Sequence, residues 1–206
     1  MNDQIFETVI TTVDSAGVGH VAPMGVRYRS TPDGRPGVVL MPFKPSTTLA
    51  NIVATGCAVL NLVTDTRVFA ACVTGRRDAQ VLALLPAQRV AGLRLGLALR
   101  HVELQLVECR DDDQRPRLHL AAVHEAEHAP FIGLNRAQAA VIEGAVLVSR
   151  LQLLPADKIR REMAYLQIAI DKTAGAAEHE AWRWLREAVA ERLPVDPDSE
   201  TLRNTP

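Results

Sequence analysis

The stretch Pro42-Phe43-Lys44-Pro45-Ser46-Thr47-Thr48-Leu49-Ala50-Asn51 decides the fold, because it marks where a strand-rich segment passes into the first helix. Leu49, Ile52 and Val53 recur at helical spacing, and Gly56 follows as a stop signal. The pattern therefore predicts a loop that ends in a short amphipathic helix.

The start of this predicted helix has two interpretations. Ser46 is suited to cap the helix through its own backbone, as most Ser and Thr residues at this position do. The hydroxyls of Ser46, Thr47 and Thr48, the positive end of the helix dipole and the nearby Lys44 would also favour a bound phosphate. The stretch alone is compatible with both.

Length and charge limit the classes of protein that this chain can belong to. Its 206 residues suit one large domain or one domain with a helical appendage, and 48% of them are apolar, which is enough for a core. The formal charge of −1 gives no basic surface for nucleic acid, and no run of residues is apolar enough to cross a membrane. The N-terminus has no signal pattern, and three widely spaced cysteines suit reduced thiols, so we expect a soluble, cytoplasmic protein.

The segment before Pro130 is rich in strand signals. A Pro and a Gly in the sequence Ala22-Pro23-Met24-Gly25 interrupt the second run, which indicates a sheet edge, a bulge or a ligand. The run 68–73 fits a strand or a short helix, and the Leu/Ala-rich segment 78–96 is predicted to be partly helical. The remaining strand-like runs are 5–13, 18–29, 38–41, 57–63, 99–107 and 117–123. One helix among so many strands favours a small closed barrel.

The chain changes character after Pro130. Residues 134–151, 155–170 and 177–193 are predicted to be helices, and the third is charged along one side. The resulting division is a barrel domain over 1–130, a helical subdomain packed on it over 131–194, and a polar, Pro-broken tail over 195–206 that we expect to be disordered. The fold class is thus mainly β plus α.

A row of three charged residues lies on the otherwise apolar first helix of this subdomain. Arg136, Glu143 and Arg150 are seven residues apart and share one face. Charges on a buried helix must be paired or must face a ligand. An internal Arg-Glu-Arg network and contact with an anionic substrate are both open interpretations.

One short motif matches a metal-binding pattern. His124-Glu125-Ala126-Glu127-His128 fits H-E-x-x-H, in which a helix carries two zinc ligands and a general base. Pro130 would end such a helix at once, and the residues before His124 favour a strand, so we expect a polar loop instead of a zinc hydrolase. Motifs of nucleophile-elbow hydrolases, P-loop proteins and Rossmann enzymes are absent from the sequence.

Several stretches together resemble the DUF447 family of FMN-binding split β-barrel proteins, which is related to flavin reductases and pyridoxamine-phosphate-oxidase-like proteins. The resemblance runs in order over nearly the whole chain. It rests on the motifs Glu7-Thr8-Val9-Ile10-Thr11-Thr12, Ala22-Pro23-Met24-Gly25-Val26, the stretch quoted at the outset, Ala58-Val59-Leu60-Asn61, and Asn135-Arg136-Ala137 with Glu143 and Arg150-Leu151.

This resemblance implies a set of FMN-binding residues. The phosphate would lie at the hydroxyl-rich helix start, and a Gly-containing edge would run along the flavin ring. Asn61 would lie near the flavin or brace the phosphate loop, while Phe43, Phe69 and Trp182 are candidates for stacking. The implied cofactor-binding residues are Pro23, Met24, Gly25, Val26, Lys44, Ser46, Thr47, Thr48, Asn51 and Asn61.

The resemblance also implies a homodimer with FMN near the subunit interface. It favours a flavin-dependent oxidoreductase that uses a nicotinamide or another small molecule, with a suggested link to one-carbon or pterin metabolism. The alternatives are a non-catalytic FMN carrier and, less favoured, a zinc hydrolase that uses His124, Glu125 and His128.

Overall fold

The structure of the chain is a computed structural model that describes residues 3–193. Within them the chain forms eight strands and five helices. The strands are β1 (Phe6–Val13), β2 (Gly19–Tyr28), β3 (Gly37–Leu40), β4 (Cys57–Leu62), β5 (Leu84–Pro86), β6 (Leu93–Leu95), β7 (Arg100–Arg110) and β8 (Arg117–Glu127). The helices are α1 (Thr47–Thr55), α2 (Arg67–Thr74), α3 (Arg136–Ser149), α4 (Ala156–Thr173) and α5 (Ala176–Arg192).

Six of the strands close into an antiparallel barrel in the order β1-β2-β3-β8-β7-β4, with β4 pairing back to β1. Alternate residues of each strand point inward and form one apolar core, because successive side chains of a strand face opposite sides. Closure removes most exposed sheet edges. The predicted closed barrel of a mainly β plus α protein is confirmed. Its core consists of Ile10, Val26, Val38, Leu40, Ile52, Ala58, Leu60, Val102, Leu104, Leu118 and Leu120.

Helix α1 also contributes to this core, which otherwise consists of residues from the strands. Ile52 is fully buried among the inward residues, and the helix contacts β1, β2, β4 and β7. Gly56 ends the helix in the left-handed conformation at φ 72°, where its N–H bonds the carbonyl of Ile52 at 2.8 Å. The predicted helix and its stop signal are therefore confirmed.

The segment 78–96 is not helical, so this prediction was wrong. Strands β5 and β6 pair with each other, with Leu84 opposite Leu95 and Pro86 opposite Leu93. Their side chains lie on the outside of the barrel, where Leu84 sits so close to Gly19 that a Cβ there would lie 2.4 Å from Leu84 Cδ1. The Leu- and Ala-rich composition did not distinguish a helical from a strand period, because a continuous apolar run such as 81–85 is short and fits both.

The chain divides into two compact units. Within the described residues, the first unit holds the barrel and comprises 3–64 together with 78–132, and the second comprises 65–77 together with 133–193. The run 68–73, for which the sequence allowed a strand or a short helix, is part of helix α2, which packs with α3 and α5 of the second unit. The predicted helices of the C-terminal segment are confirmed, while the predicted tail 195–206 lies outside the described residues.

The second unit has its own apolar core, formed by the inner faces of its helices. A Cβ at Gly144 would lie 2.7 Å from the ring of Trp182, so only glycine allows α3 to approach α5 this closely. None of the helices within residues 3–193 is long and apolar enough to cross a membrane.

Candidate functional site

The predicted flavin edge lies on β2, where the barrel wall is incompletely paired. Pro23, Met24 and Gly25 pair with β1, while β3 joins β2 only from Val26 to Tyr28. Within residues 3–193 no strand lies on the other side of 22–25. The interruption predicted from Pro23 and Gly25 is therefore a sheet edge within a continuous strand, and its backbone groups can reach a ligand.

The start of α1 is brought to this edge by the path of the chain. Leu40, the last residue of β3, lies opposite Val26, and the antiparallel direction carries the following residues towards Gly25 and Met24. Helix α1 contacts β2 directly, and Met24 and Leu49 both pack against the barrel core. The structure therefore places the two predicted parts of the cofactor site side by side.

The helix start has the features of an anion site. Ser46 is an extended N-cap whose Oγ accepts the N–H of Leu49 at 3.3 Å. The first turn contains no acidic residue, so no side-chain carboxylate of that turn offsets the positive end of the helix dipole. Thr47 is exposed and Ser46 half-buried, but Thr48 is only 1% exposed. Two hydroxyls, not three, are therefore accessible.

The charges around the preceding loop include one residue that the sequence did not single out. Lys44 Nζ donates to Asp111 Oδ1 at 2.6 Å, and this hydrogen bond raises the pKa of Lys44. The guanidinium of Arg115 lies 4.2 Å from the ring centroid of Phe43 and donates to the carbonyl of Met41 at 3.1 Å. No local sequence signal indicated Arg115, because it follows an ordinary charged turn far along the chain.

The two asparagines that were predicted to bind FMN make hydrogen bonds within the barrel wall. Asn51 Nδ2 donates to Thr12 Oγ1 at 3.0 Å. Asn61 is fully buried, and its Nδ2 donates to the carbonyl of Val9 and to Thr11 Oγ1, both at 3.1 Å. Asn61 Oδ1 accepts the N–H of Leu95 at 2.8 Å. The contacts of Asn61 connect β1, β4 and β6.

Of the three aromatic candidates for flavin stacking, only Phe43 is accessible, being 64% exposed. Phe69 and Trp182 are each 3% exposed within the second unit, and Trp182 Nε1 donates to Gln167 Oε1 at 2.7 Å. Both contribute to the core of the helical unit.

The charged row of α3 is on the surface. Arg136, Glu143 and Arg150 are all exposed, whereas the opposite face of the helix is buried. Within residues 3–193 no ion pair joins them to each other. The interpretation as a buried Arg-Glu-Arg network is therefore wrong, because the row points away from the apolar face.

The H-E-x-x-H motif lies mostly on strand β8, so the proposed zinc-hydrolase arrangement of His124, Glu125 and His128 is also wrong. Alternation on a strand turns Glu125 to the opposite face from the two histidines. Glu125 lies opposite Val102 and forms an ion pair with Arg100. The expectation of a loop here was likewise incorrect, because β8 continues through Glu127.

A buried polar cluster instead surrounds Glu103 of β7. Its carboxylate accepts the backbone N–H groups of Gln88 and Arg89, each at 2.6 Å, and of Val90 at 2.8 Å. Burial acts to raise the pKa of Glu103, but these N–H groups and His101 outweigh it and hold the pKa below its usual value. Sequence patterns did not reveal this cluster, because the segment 88–90 is brought to Glu103 only by the fold.

Two cavities lie in the barrel unit apart from the predicted flavin residues. One, of about 440 Å³, opens into the barrel interior between Leu60, Val102 and Ala122, with Tyr28 and Arg100 at its mouth. The other, of about 570 Å³, is open and borders Arg89, Gln105 and His124. The residues of the α1 start line neither of them.

Comparison with protein families gives matches over most of the chain. The model for the N-terminal domain of DUF447, a family described as a protein of unknown function, matches residues 6–129. The model for the C-terminal part of DUF447 matches residues 135–187. The resemblance inferred from the motifs is therefore confirmed.

Solved structures support the same fold. The chain is similar to an FMN-bound protein of Methanosarcina mazei that matches DUF447, with a TM-score of 0.75 and 21% identity over 91% of this chain and 96% of that one. It also resembles 2-nitrobenzoate 2-nitroreductase of Pseudomonas fluorescens, with a TM-score of 0.51 and 22% identity over 62% of this chain and 66% of that one.

A third similar structure is described as a candidate flavin reductase with a split barrel domain, from Shewanella frigidimarina. Its TM-score is 0.51 and its identity 17%, over 59% of this chain and 66% of that one. At these identities the likeness establishes the fold, which is the split barrel, and leaves the activity to be argued from the site.

Proposed function

We propose that this chain, which belongs to the DUF447 family, is an FMN-binding flavoprotein and acts as a flavin-dependent oxidoreductase. One observation carries the proposal. The start of α1, free of acidic side chains in its first turn, lies beside the part of β2 that lacks a second strand. A helix start suits a phosphate, and an open strand edge suits a heterocycle that needs main-chain partners.

The phosphate would be held at the first turn of α1. Its backbone N–H groups and the hydroxyl of Thr47 are the nearest donors, while Ser46 Oγ already caps the helix. Lys44 would add a positive charge once it leaves Asp111, and the guanidinium of Arg115 lies beside the same loop. This donor set fits a phosphate dianion better than a neutral group.

The flavin ring would lie along Pro23 to Val26. Gly25 adds no side chain to this edge, and a Cβ there would lie 2.7 Å from Ile5 Cγ2, so the packing of Ile5 also requires a glycine at this position. The neutral backbone of this edge can donate and accept hydrogen bonds without adding charge. Asn51 and Asn61 would act indirectly, because their amides hold the strands behind this site.

The bound FMN would supply hydride or electron transfer, so the chain needs no side-chain nucleophile. What its own residues do is bind the phosphate, orient the ring and leave one face open to a nicotinamide or another small substrate. The FMN-bound relative from Methanosarcina mazei supports the choice of cofactor, and the similarity in fold to a nitroreductase agrees with this class of reaction. The alternative that we retain is a protein that binds FMN without turnover.

We also propose a homodimer with FMN near the subunit interface. Ile5, Phe6 and Tyr28 are apolar or aromatic residues that are 42 to 49% exposed next to the flavin edge, and the rings of Phe6 and Tyr28 meet at 5.4 Å. A second subunit would cover this patch and enclose a ligand that a single chain leaves open.

Three cysteines that form no disulfide agree with a cytoplasmic location.

The test compares FMN with riboflavin, which has the same ring but no phosphate. Purified protein is titrated with each flavin, and binding is followed by visible absorption and fluorescence. We expect saturable FMN binding at one equivalent per chain, and riboflavin binding weaker by at least about tenfold. Equal affinity for the two flavins would contradict a phosphate site at α1, and failure to bind FMN would reject the proposal altogether.

A second measurement separates the enzyme from the carrier. The FMN-loaded protein is mixed anaerobically with NADH or NADPH, and the visible flavin band is followed. We expect at least one nicotinamide to bleach the band within seconds to minutes. A band that persists with both donors would favour the non-catalytic alternative.

A further inference from the structure

The side chains of His101, Glu103 and His124 meet on the outer face of the barrel, under the β5-β6 segment. His101 and Glu103 are alternate residues of β7 and share a face, and Glu103 lies directly opposite His124 of β8. The pairing shifts by one residue between Glu103 and Leu104, which leaves Val123 as a bulge. This bulge turns His124 to the face of Glu103 instead of the barrel interior.

The three residues offer a complete set of metal-ligand atoms. One ligand atom from each lies within 4.8 Å of the others. His101 Nε2 and Glu103 Oε1 are 3.2 Å apart, close to the spacing of about 3.3 Å between two ligands of a tetrahedral zinc ion. Two imidazoles and one carboxylate are a common ligand combination for zinc.

His124 carries an unsatisfied polar atom at this place. Its Nε2 atom is buried and has no hydrogen-bond partner within residues 3–193. A buried nitrogen without a partner costs free energy, and a bound cation would supply the missing interaction. The same histidine borders the open cavity of about 570 Å³, which gives an ion and a water molecule access from solvent.

The surrounding contacts would orient the ligands. His101 Nδ1 lies 2.8 Å from His128 Nε2, so His101 can donate there while its Nε2 binds a metal ion. The three backbone N–H groups of residues 88–90 hold the Glu103 carboxylate in place. Outer hydrogen bonds of this kind are typical of zinc sites, where they fix the tautomer and ring orientation.

We propose that His101, Glu103 and His124 bind one divalent transition metal ion of the zinc type. The ion would fix the segment 88–90 to β7 through Glu103. The proposed metal site lies near the C-terminal end of α1, around Gly56, whereas the proposed phosphate site lies at the N-terminal end of the same helix, at Ser46. The proposal is therefore independent of flavin binding and differs from the H-E-x-x-H arrangement, because Glu125 faces the other way.

The test uses the full chain after removal of metals with a chelator. It is titrated with Zn(II) by calorimetry and with Co(II) by visible absorption, both without FMN. We expect one equivalent to bind and the thermal midpoint to rise with Zn(II). The variant His124→Ala should bind Zn(II) more than about 100-fold more weakly, since loss of an outer-shell partner alone costs 10- to 100-fold.

Two matched variants serve as controls. His179→Ala removes an exposed histidine of α5, and Glu125→Gln removes the carboxylate of the sequence motif, so both should bind Zn(II) like the wild type. His124→Ala also removes a buried unpaired nitrogen, and its fold can be checked by circular dichroism. The proposal is overturned if the wild type takes up neither ion, or if His124→Ala binds as tightly as the wild type.

Discussion

Asn61 Oδ1 accepts the backbone N–H of Leu95 at 2.8 Å, and both residues are fully buried. This bond ties β4 of the barrel to β6, which packs on its outer face. The variant Asn61→Ala should lower the free energy of unfolding by about 1–3 kcal/mol, because it leaves the N–H of Leu95 buried without an acceptor. Urea denaturation measures the loss. FMN affinity of the folded protein should change little, and a large drop in affinity at unchanged stability would instead put Asn61 beside the flavin.

The hydroxyls at the start of α1 should contribute to the binding affinity for FMN but not to that for riboflavin, which has no phosphate. Replacing both Thr47 and Thr48 with Ala should weaken FMN binding by about 1–3 kcal/mol, with most of the effect from the exposed Thr47. Fluorescence titration gives both affinities. Thr55→Ala is the matched control at the other end of α1, where the hydroxyl donates to the carbonyl of Asn51. If the double variant keeps full FMN affinity, these residues have only a structural role.

Asp111 should compete with FMN for Lys44. The Lys44 Nζ–Asp111 Oδ1 contact of 2.6 Å holds the cation away from a ligand, and Asp111 itself would repel a phosphate. Asp111→Asn should therefore raise FMN affinity several-fold, and Lys44→Gln should lower it. Both effects should shrink at high salt, because the charges are exposed. Unaltered FMN titration curves for both variants would place Lys44 outside the phosphate site.

Glu143 should contribute little to the stability of the fold. Because its side chain is exposed, Glu143→Gln should change the free energy of unfolding by no more than about 0.5 kcal/mol. Glu178→Gln is the contrasting variant: Glu178 is 8% exposed, and its Oε2 accepts the backbone N–H of Gly175, the residue before α5, at 2.9 Å. That change should cost about 1 kcal/mol. A strongly destabilised Glu143→Gln protein would restore the buried-network interpretation.

The cysteines should react in an order set by exposure and pKa. Burial raises the pKa of Cys72 to about 11, so at pH 8 its thiol is neutral and poorly nucleophilic, and its reactivity should increase with pH up to that value. Cys109 is exposed and should be alkylated first by iodoacetamide, which peptide mass spectrometry can follow. In urea all cysteines should react alike. Equal rates for Cys72 and Cys109 in the folded protein would contradict this order.

The sequence determined the features that depend on neighbouring residues. Ser46 and Gly56 mark the ends of α1 because capping and the left-handed stop are local interactions. Runs rich in β-branched and apolar residues between turn signals predicted the six barrel strands. The 3.6-residue period predicted α3 to α5, because these helices are long enough to show it. The motifs around Pro23, Ser46 and Asn135 were also sufficient to recognise the family.

Tertiary structure decided whatever depends on contacts between distant residues. Short apolar runs fit either period, so packing alone made 67–74 a helix and 84–95 a strand pair. Lys44 meets Asp111 across 67 residues, and Thr48 turns inward although its neighbour Thr47 is exposed. The H-E-x-x-H motif suggested a helix or a loop, but these residues pair with β7 and continue strand β8. One bulge in this pairing brings His124 to the same face as Glu103. Such positions follow from strand register, which is set by the whole barrel and not by any local stretch.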